Sequence, residues 1–106
     1  TLTAKVLIVA GKTDRLEYPL TKQVNVIGSQ DGAVIRLTGW FAPKSAATIA
    51  RRGLTYSISP SRGVKSLLVN GTNVVGQQDL KDEDQIEVAG VTLTFCVVSG
   101  TKNIPR

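Results

Sequence analysis

The chain has 106 residues, 42% of them hydrophobic and 20% charged, with a formal net charge of +5, one Cys, no Met and no His. That length corresponds to about one domain on the usual scale of ~100 to 200 residues, and such a domain buries roughly 60 to 70% of its unfolded surface without disulfide or metal staples. The missing imidazole removes the common proton shuttle, the commonest metal ligand and every Ser/His or Cys/His nucleophile pair, so hydrolases of those kinds are excluded.

Period-two alternation runs through most of the chain and predicts strands. Ala4, Val6 and Ile8 alternate with Lys5, Leu7 and Val9, giving a first strand over 3–9 that ends in a Gly11 to Asp14 turn. The apolar stretch Val6 to Ala10 is far shorter than the ~18 residues of a spanning helix, so this segment does not cross a membrane. Strands are next predicted over 15–20, 24–28 and 33–37, the last two separated by turn residues Ser29 to Gly32. After Gly39 come strands over 46–51 and 54–59 about Arg52-Gly53, then 66–69 and 73–75 about Asn70-Gly71, and finally 85–89 and 91–98 about Ala89-Gly90. Short strands punctuated so often indicate an all-β sandwich or barrel. No ten-residue segment carries a helical stripe.

A β domain is therefore expected over 1–98, with 99–106 as a C-terminal tail or linker. Met is absent even at position 1, so the chain reads as a piece of a longer protein, and that protein is left open to membrane anchoring. A cytoplasmic location is expected for the domain itself.

Three features invite a chemical reading and receive a structural one. Cys96 lies on the Thr face of the last strand with no cation nearby to lower its pKa, so it is a structural thiol. Asn70-Gly71-Thr72 matches a glycosylation sequon, but Asn-Gly between two apolar runs is the strongest short hairpin signal. The run from Leu80 to Ile86 lacks the alternating oxygens and pivotal Gly of a calcium loop, which leaves a solvated turn before the last hairpin. No cofactor or metal is expected.

Charge is placed unevenly. No carboxylate occurs between Asp31 and Asp79, a stretch holding Arg36, Lys44, Arg51, Arg52, Arg62 and Lys65, whereas Asp79, Asp82, Glu83, Asp84 and Glu87 crowd together after it. One positive face meeting an anionic partner and a set of scattered solvated cations are both compatible with this pattern.

The order of these pieces resembles the forkhead-associated (FHA) domain from Val6 to Val97. The resemblance rests on the Gly11-Lys12 turn, Ile27-Gly28, Asp31-Gly32, Val34 to Leu37, Ala46 to Ile49, Tyr56 to Ile58 and Val69-Asn70-Gly71. It is strongest at the end, where Leu80 to Gly90 and Val91 to Phe95 read as an acidic turn, a strand, a Gly and a strand ending in Phe. It implies an FHA-like all-β sandwich of about ten to eleven short strands in two sheets, and a signalling module that recognises phosphothreonine.

The family's binding residues are mostly replaced. Its Gly-Arg falls at Gly28-Ser29, its Ser-Arg-x-His falls at Pro43-Lys44-Ser45-Ala46, and its peptide-holding Asn falls near Lys65-Ser66. Each lost Arg or hydroxyl contact to phosphate is worth roughly 1.5 to 3 kcal/mol, so two or three losses weaken phosphothreonine binding by orders of magnitude. The pattern is similar in kind to phosphate-independent members, including the cytoplasmic domains of type III secretion ring proteins.

The leading expectation is a protein-interaction module acting through Ser29 to Gly32, Thr38 to Ser45 and Pro60 to Ser66. Its candidate contacts are Ser29, Trp40, Phe41, Lys44, Ser45, Arg62 and Lys65, suited to an acidic or Thr-phosphorylated protein partner; alternation leaves one of Trp40 and Phe41 open to exposure, with packing over the sandwich end as the alternative. A second reading keeps phosphothreonine, with Lys44, Lys65, Arg51 or Arg62 rebuilding the anion site and Ser29 or Ser45 supplying a hydroxyl. A third binds nucleic acid or an anionic surface, with only Tyr56, Trp40 and Phe41 available for stacking and no known motif. An enzyme is not expected, since acid, base and nucleophile roles cannot be filled in one place.

Overall fold

Along Gln85–Val88 the side chains alternate exposed and buried, Ile86 and Val88 facing inward. A strand with one face on a core and one in water has this pattern. A computed structural model describes residues 2–99 and arranges eleven strands, with no helix, in two sheets. The strands are β1 Leu2–Ala10, β2 Glu17–Pro19, β3 Val24–Gly28, β4 Ile35–Arg36, β5 Ala47–Arg52, β6 Thr55–Pro60, β7 Leu67–Val69, β8 Thr72–Asn73, β9 Gln78–Leu80, β10 Gln85–Val88 and β11 Val91–Ser99. One sheet runs β2-β1-β11-β10-β7-β8 and the other β4-β3-β5-β6-β9. Of the expected tail, Ser99 closes β11, and residues 100–106 lie outside the described residues. Among the described residues no helix is long and apolar enough to cross a membrane.

The two inner faces meet over Val6, Ile27, Ile49, Ile58, Ile86, Leu93 and Phe95, all fully buried. Tyr56 packs against Phe95 with ring centroids 5.4 Å apart and planes tilted by 60°, a favourable aromatic geometry. β3 departs from a simple apolar-in pattern. Asn25 and Ile27 face inward while Val24 is exposed. The Asn25 amide is fully used: Nδ2 donates to Lys22 O at 2.9 Å and Ile49 O at 3.1 Å, and Oδ1 accepts from Lys22 N at 3.2 Å. A buried polar group is stable only when bonded in this way, so Asn25 ties the turn before β3 to β5.

The expected strands are present, except that the one expected over 73–75 is confined to Thr72–Asn73 with Val74 and Val75 outside it, and β9 is an addition to them. Gln78–Leu80 pairs antiparallel with β6 in the register Tyr56↔Leu80, Ser57↔Asp79 and Ile58↔Gln78. Three residues of mostly polar type offer no period to detect. The acidic turn that follows is solvated but also structural: Val97 N donates to Asp82 at 2.7 Å, and Lys81 N donates to Asp84 at 2.8 Å.

The Asn70-Gly71 hairpin forms as expected. Both residues have positive φ, 53° and 83°, and Val69 pairs with Thr72 across them. Asn70 also clamps the neighbouring turn, since its Oδ1 accepts from Gln85 N and its Nδ2 donates to Asp84, both at 2.9 Å. Cys96 is half-buried, and burial followed by the nearby Asp82 charge pushes its thiol above its ordinary value. It stays protonated near neutral pH and has no thiolate to react. Replacing Asn70 by Ala removes both side-chain bonds and leaves a less tolerant residue at positive φ, so N70A should lose about 2 kcal/mol in urea unfolding. An unchanged midpoint would show that the clamp does not contribute.

Candidate functional site

The end of the sandwich beyond β3, β5 and β6 is built around one crowded contact. A Cβ on Gly28 would lie 1.9 Å from the Lys44 carbonyl oxygen, so the segment joining β4 to β5 presses directly on the backbone of β3. That approach is fastened by Ser29 N to Pro43 O at 2.9 Å, Gln30 N to Lys44 O at 3.2 Å and Ala46 N to Ile27 O at 2.7 Å. On its other flank, Leu37 N donates to Gly28 O at 2.9 Å and Thr38 N to Lys12 O at 3.0 Å. The β1–β2 loop is thereby bonded to the same segment, an adjacency that Gly11-Lys12 does not announce in sequence.

At the tip, Ala42 N donates to Gly39 O at 3.2 Å, closing a turn whose two central residues are Trp40 and Phe41. Both side chains are 90% exposed, with ring centroids 6.3 Å apart and planes 80° from parallel. The sequence reading allowed one of them to be exposed, because alternation sends strand neighbours to opposite faces, with packing over the sandwich end as the alternative. At the centre of a turn neither side chain has a sheet face beneath it, and both project outward. Phe41 and Pro43 then form a ridge between two grooves. One, of about 500 Å³, extends towards Gly11, Lys12 and Leu37; the other, of about 390 Å³, extends towards Gly63 to Ser66. The β10–β11 turn, Ala89-Gly90, borders both.

No family model matches the chain, and no curated protein does. Solved structures match closely in shape. The FHA domain of an Arabidopsis thaliana hypothetical protein superposes with a TM-score of 0.81 at 17% identity, covering 97% of this chain and 92% of that one. The fold is that of an FHA domain. The FHA domain of the Chlamydia trachomatis protein CT664 gives 0.76 at 16% identity over 92% of this chain and 99% of that one. Mycobacterium tuberculosis EmbR, solved in complex with a low-affinity phosphopeptide, gives 0.80 at 24% identity. The match covers 95% of this chain, which spans about a quarter (26%) of the EmbR chain.

On this FHA fold, Ser29, Trp40, Phe41, Lys44, Ser45, Arg62 and Lys65 all come to one end. Their chemistry is not equally free. The Ser29 hydroxyl points at the Ala42 and Pro43 carbonyls, 3.1 and 3.0 Å away, so its proton fastens the loop and is not available to a ligand. Ser45 Oγ lies 2.7 Å from Ser61 Oγ, and one hydroxyl of that pair keeps a free proton. Lys44, Arg62 and Lys65 are exposed, and among the described residues none is in an ion pair. Arg36 is paired with Asp31 at 3.3 Å.

Two sequence expectations are corrected. Arg51 sits at the far end of β5 from Ala47, four residues or ~13 Å away, and its Nε donates to Gly53 O, so it cannot join Lys44 in an anion site. Tyr56 is only 2% exposed, packed on Phe95, and cannot stack on a base. The carboxylate-free stretch is thus divided between opposite ends of the sandwich and makes no single basic face. Lys12, Ala89 and Gly90 were missed, because only the folded chain brings the first and last turns to the Phe41 ridge.

The Lys12 loop is pinned from below. The buried Tyr18 hydroxyl donates to Asp14 and accepts from Arg15 N at 2.8 Å, while Asp14 N donates to Arg36 O at 3.2 Å. Burial first, and then the Asp14 bond, raises the Tyr18 pKa above its ordinary 10.0. The folded state therefore holds this proton more tightly than the unfolded state. The resulting stability is complete below pH ~10 and is lost as pH rises through the folded value. Y18F should be about 1 kcal/mol less stable at pH 7 and should lose less stability than wild type between pH 9 and 11 in urea titrations, whereas parallel losses would refute the lock.

Proposed function

We propose that this domain is a protein-interaction module that docks partners through the Trp40–Phe41 turn and its flanking basic loops without requiring phosphate. The observation that carries the reading is the pair of fully projecting aromatics on a backbone bonded at both flanks. Rigid exposed Trp side chains are favoured interface anchors, because they bury a large area at small entropic cost. The positions where FHA domains place phosphate ligands support the same reading. Ser29 lacks a guanidinium and its hydroxyl is spent, Pro43 has no hydroxyl, and Ala46 is buried. Lys44, Arg62 and Lys65 suit an acidic segment through long-range attraction rather than oriented phosphate contacts.

A phosphothreonine reading has one observation in its favour. The Ser45–Ser61 pair holds a free hydroxyl proton, and Lys44 and Arg62 adjoin it in sequence. EmbR, whose structure holds a low-affinity phosphopeptide, shares the fold. With Arg51 and Ser29 removed, this anion site would rest on two or three flexible cations.

Peptides carrying phosphothreonine, glutamate or threonine at one position, titrated at low and high salt, separate these readings. The phosphothreonine form should bind no better than the glutamate form, and unmodified peptides selected by display on the domain should lose about 30-fold affinity on Trp40→Ala at unchanged thermal stability. Selective tight binding of the phosphothreonine form, abolished by Lys44→Ala, would overturn the proposal.

A further inference from the structure

The larger groove, on the β1–β2 side of the Phe41 ridge, lies away from the Lys44 side of the loop end. At about 500 Å³ it falls within the size range of ligand pockets. Leu37, Phe41, Ala42, Pro43 and Val91 give it apolar walls, and Lys12 is the one charged residue lining it. Leu37 and Val91 belong to the core, so this floor does not move independently of the fold. Gly11 holds the wall in place: a Cβ there would lie 2.7 Å from Val91 Cα. The groove is therefore a formed concavity beside an exposed Trp.

Electrostatics selects the occupant. Of the carboxylates on the two neighbouring loops, Asp31 is paired with Arg36, while Asp14 accepts from the neutral Tyr18 hydroxyl and keeps its charge, so the cations Lys12, Lys44, Arg62 and Lys65 outnumber it. Among the described residues Lys12 is in no ion pair, and Lys44, Arg62 and Lys65 stand unpaired on the other side of the ridge. An acidic partner is drawn to such an end and a basic one is repelled. A flat lipid surface would engage the protruding rings but leave the concave groove empty, so a chain with a side chain to insert fits better.

Resting on the interaction reading above, we propose that this groove is a subsite for an apolar side chain of an acidic, unphosphorylated extended segment in a partner protein. Lys12 takes a carboxylate flanking that apolar residue. The aromatic turn supplies anchoring, while the groove and Lys12 supply the choice of sequence.

The test uses the whole chain and a degenerate pool of short unmodified peptides alternating Asp or Glu with Leu or Val, against a pool with Asn and Gln in place of the acids. Anisotropy and the fluorescence of Trp40, the single Trp, report binding. The acidic pool should bind in preference. Lys12→Glu should weaken it about tenfold and Lys12→Arg should preserve it. Gly39→Leu should fill the groove and block binding without unfolding the domain, because a Cβ at Gly39 meets nothing nearer than Ala42 Cβ at 4.0 Å. If Trp40→Ala abolishes binding but Lys12→Glu and Gly39→Leu do not, the groove assignment is wrong and the interaction reading stands. If none of the three variants matters, or no pool binds, both fail. Phosphatidylserine vesicles that shift Trp40 emission when peptides do not would replace the peptide with a lipid surface.

Discussion

The loop end that carries Trp40 and Phe41 depends on the absence of a side chain at Gly28. Any Cβ there would overlap the Lys44 carbonyl, and that contact brings the β4–β5 segment down onto β3. Once seated, the segment is held by backbone bonds involving Ser29, Gln30, Leu37 and Ala46, and its tip is closed by the Ala42 N to Gly39 O bond. Trp40 and Phe41 are exposed because the chain beneath them is already committed to other partners. Exposing two adjacent aromatics on a mobile loop would invite non-specific association, whereas a bonded turn presents them in one geometry at little entropic cost on binding.

The same packing explains why the chemistry usual for this fold is missing without harm to the fold. Ser29, where the family places its Arg, donates its hydroxyl to the loop it faces. Ala46, where the family places its His, is sealed in the core between Ile27 and Ser61 backbone bonds. The Ser29 hydroxyl and the Ala46 backbone are thus taken up by internal contacts of the loop end. What this end offers at the surface is the aromatic pair, the unpaired cations and the Ser45–Ser61 hydroxyls.

Much of the sandwich was legible because period-two alternation is a direct consequence of strand geometry. The Asn70-Gly71 and Ala89-Gly90 hairpins follow from the positive φ that each turn requires. β9 was not legible, since Gln78–Leu80 owes its strand character to β6 beside it. At the loop end, the sequence indicated which residues gather there but not their states. Sequence order put Arg51 near Lys44, yet an extended β5 carries it to the opposite end; alternation implied one buried aromatic, yet a turn exposes two. Lys12 joins the site through Thr38 N and the Thr13↔Leu37 bridge, pairings between segments about two dozen residues apart that carry no local pattern.

Native-state amide hydrogen exchange tests the central claim, that the aromatic tip is carried by a preformed platform and not by a mobile loop. The amides of Ser29, Gln30, Leu37, Thr38 and Ala46 should be protected nearly as strongly as those of the core strands β5 and β11, since they open only when the β4–β5 segment leaves β3 or, for Thr38, the Lys12 loop. Exchange at these five amides close to the rate of an unstructured chain would contradict the account, because Trp40 and Phe41 would then be displayed by a segment with no fixed shape.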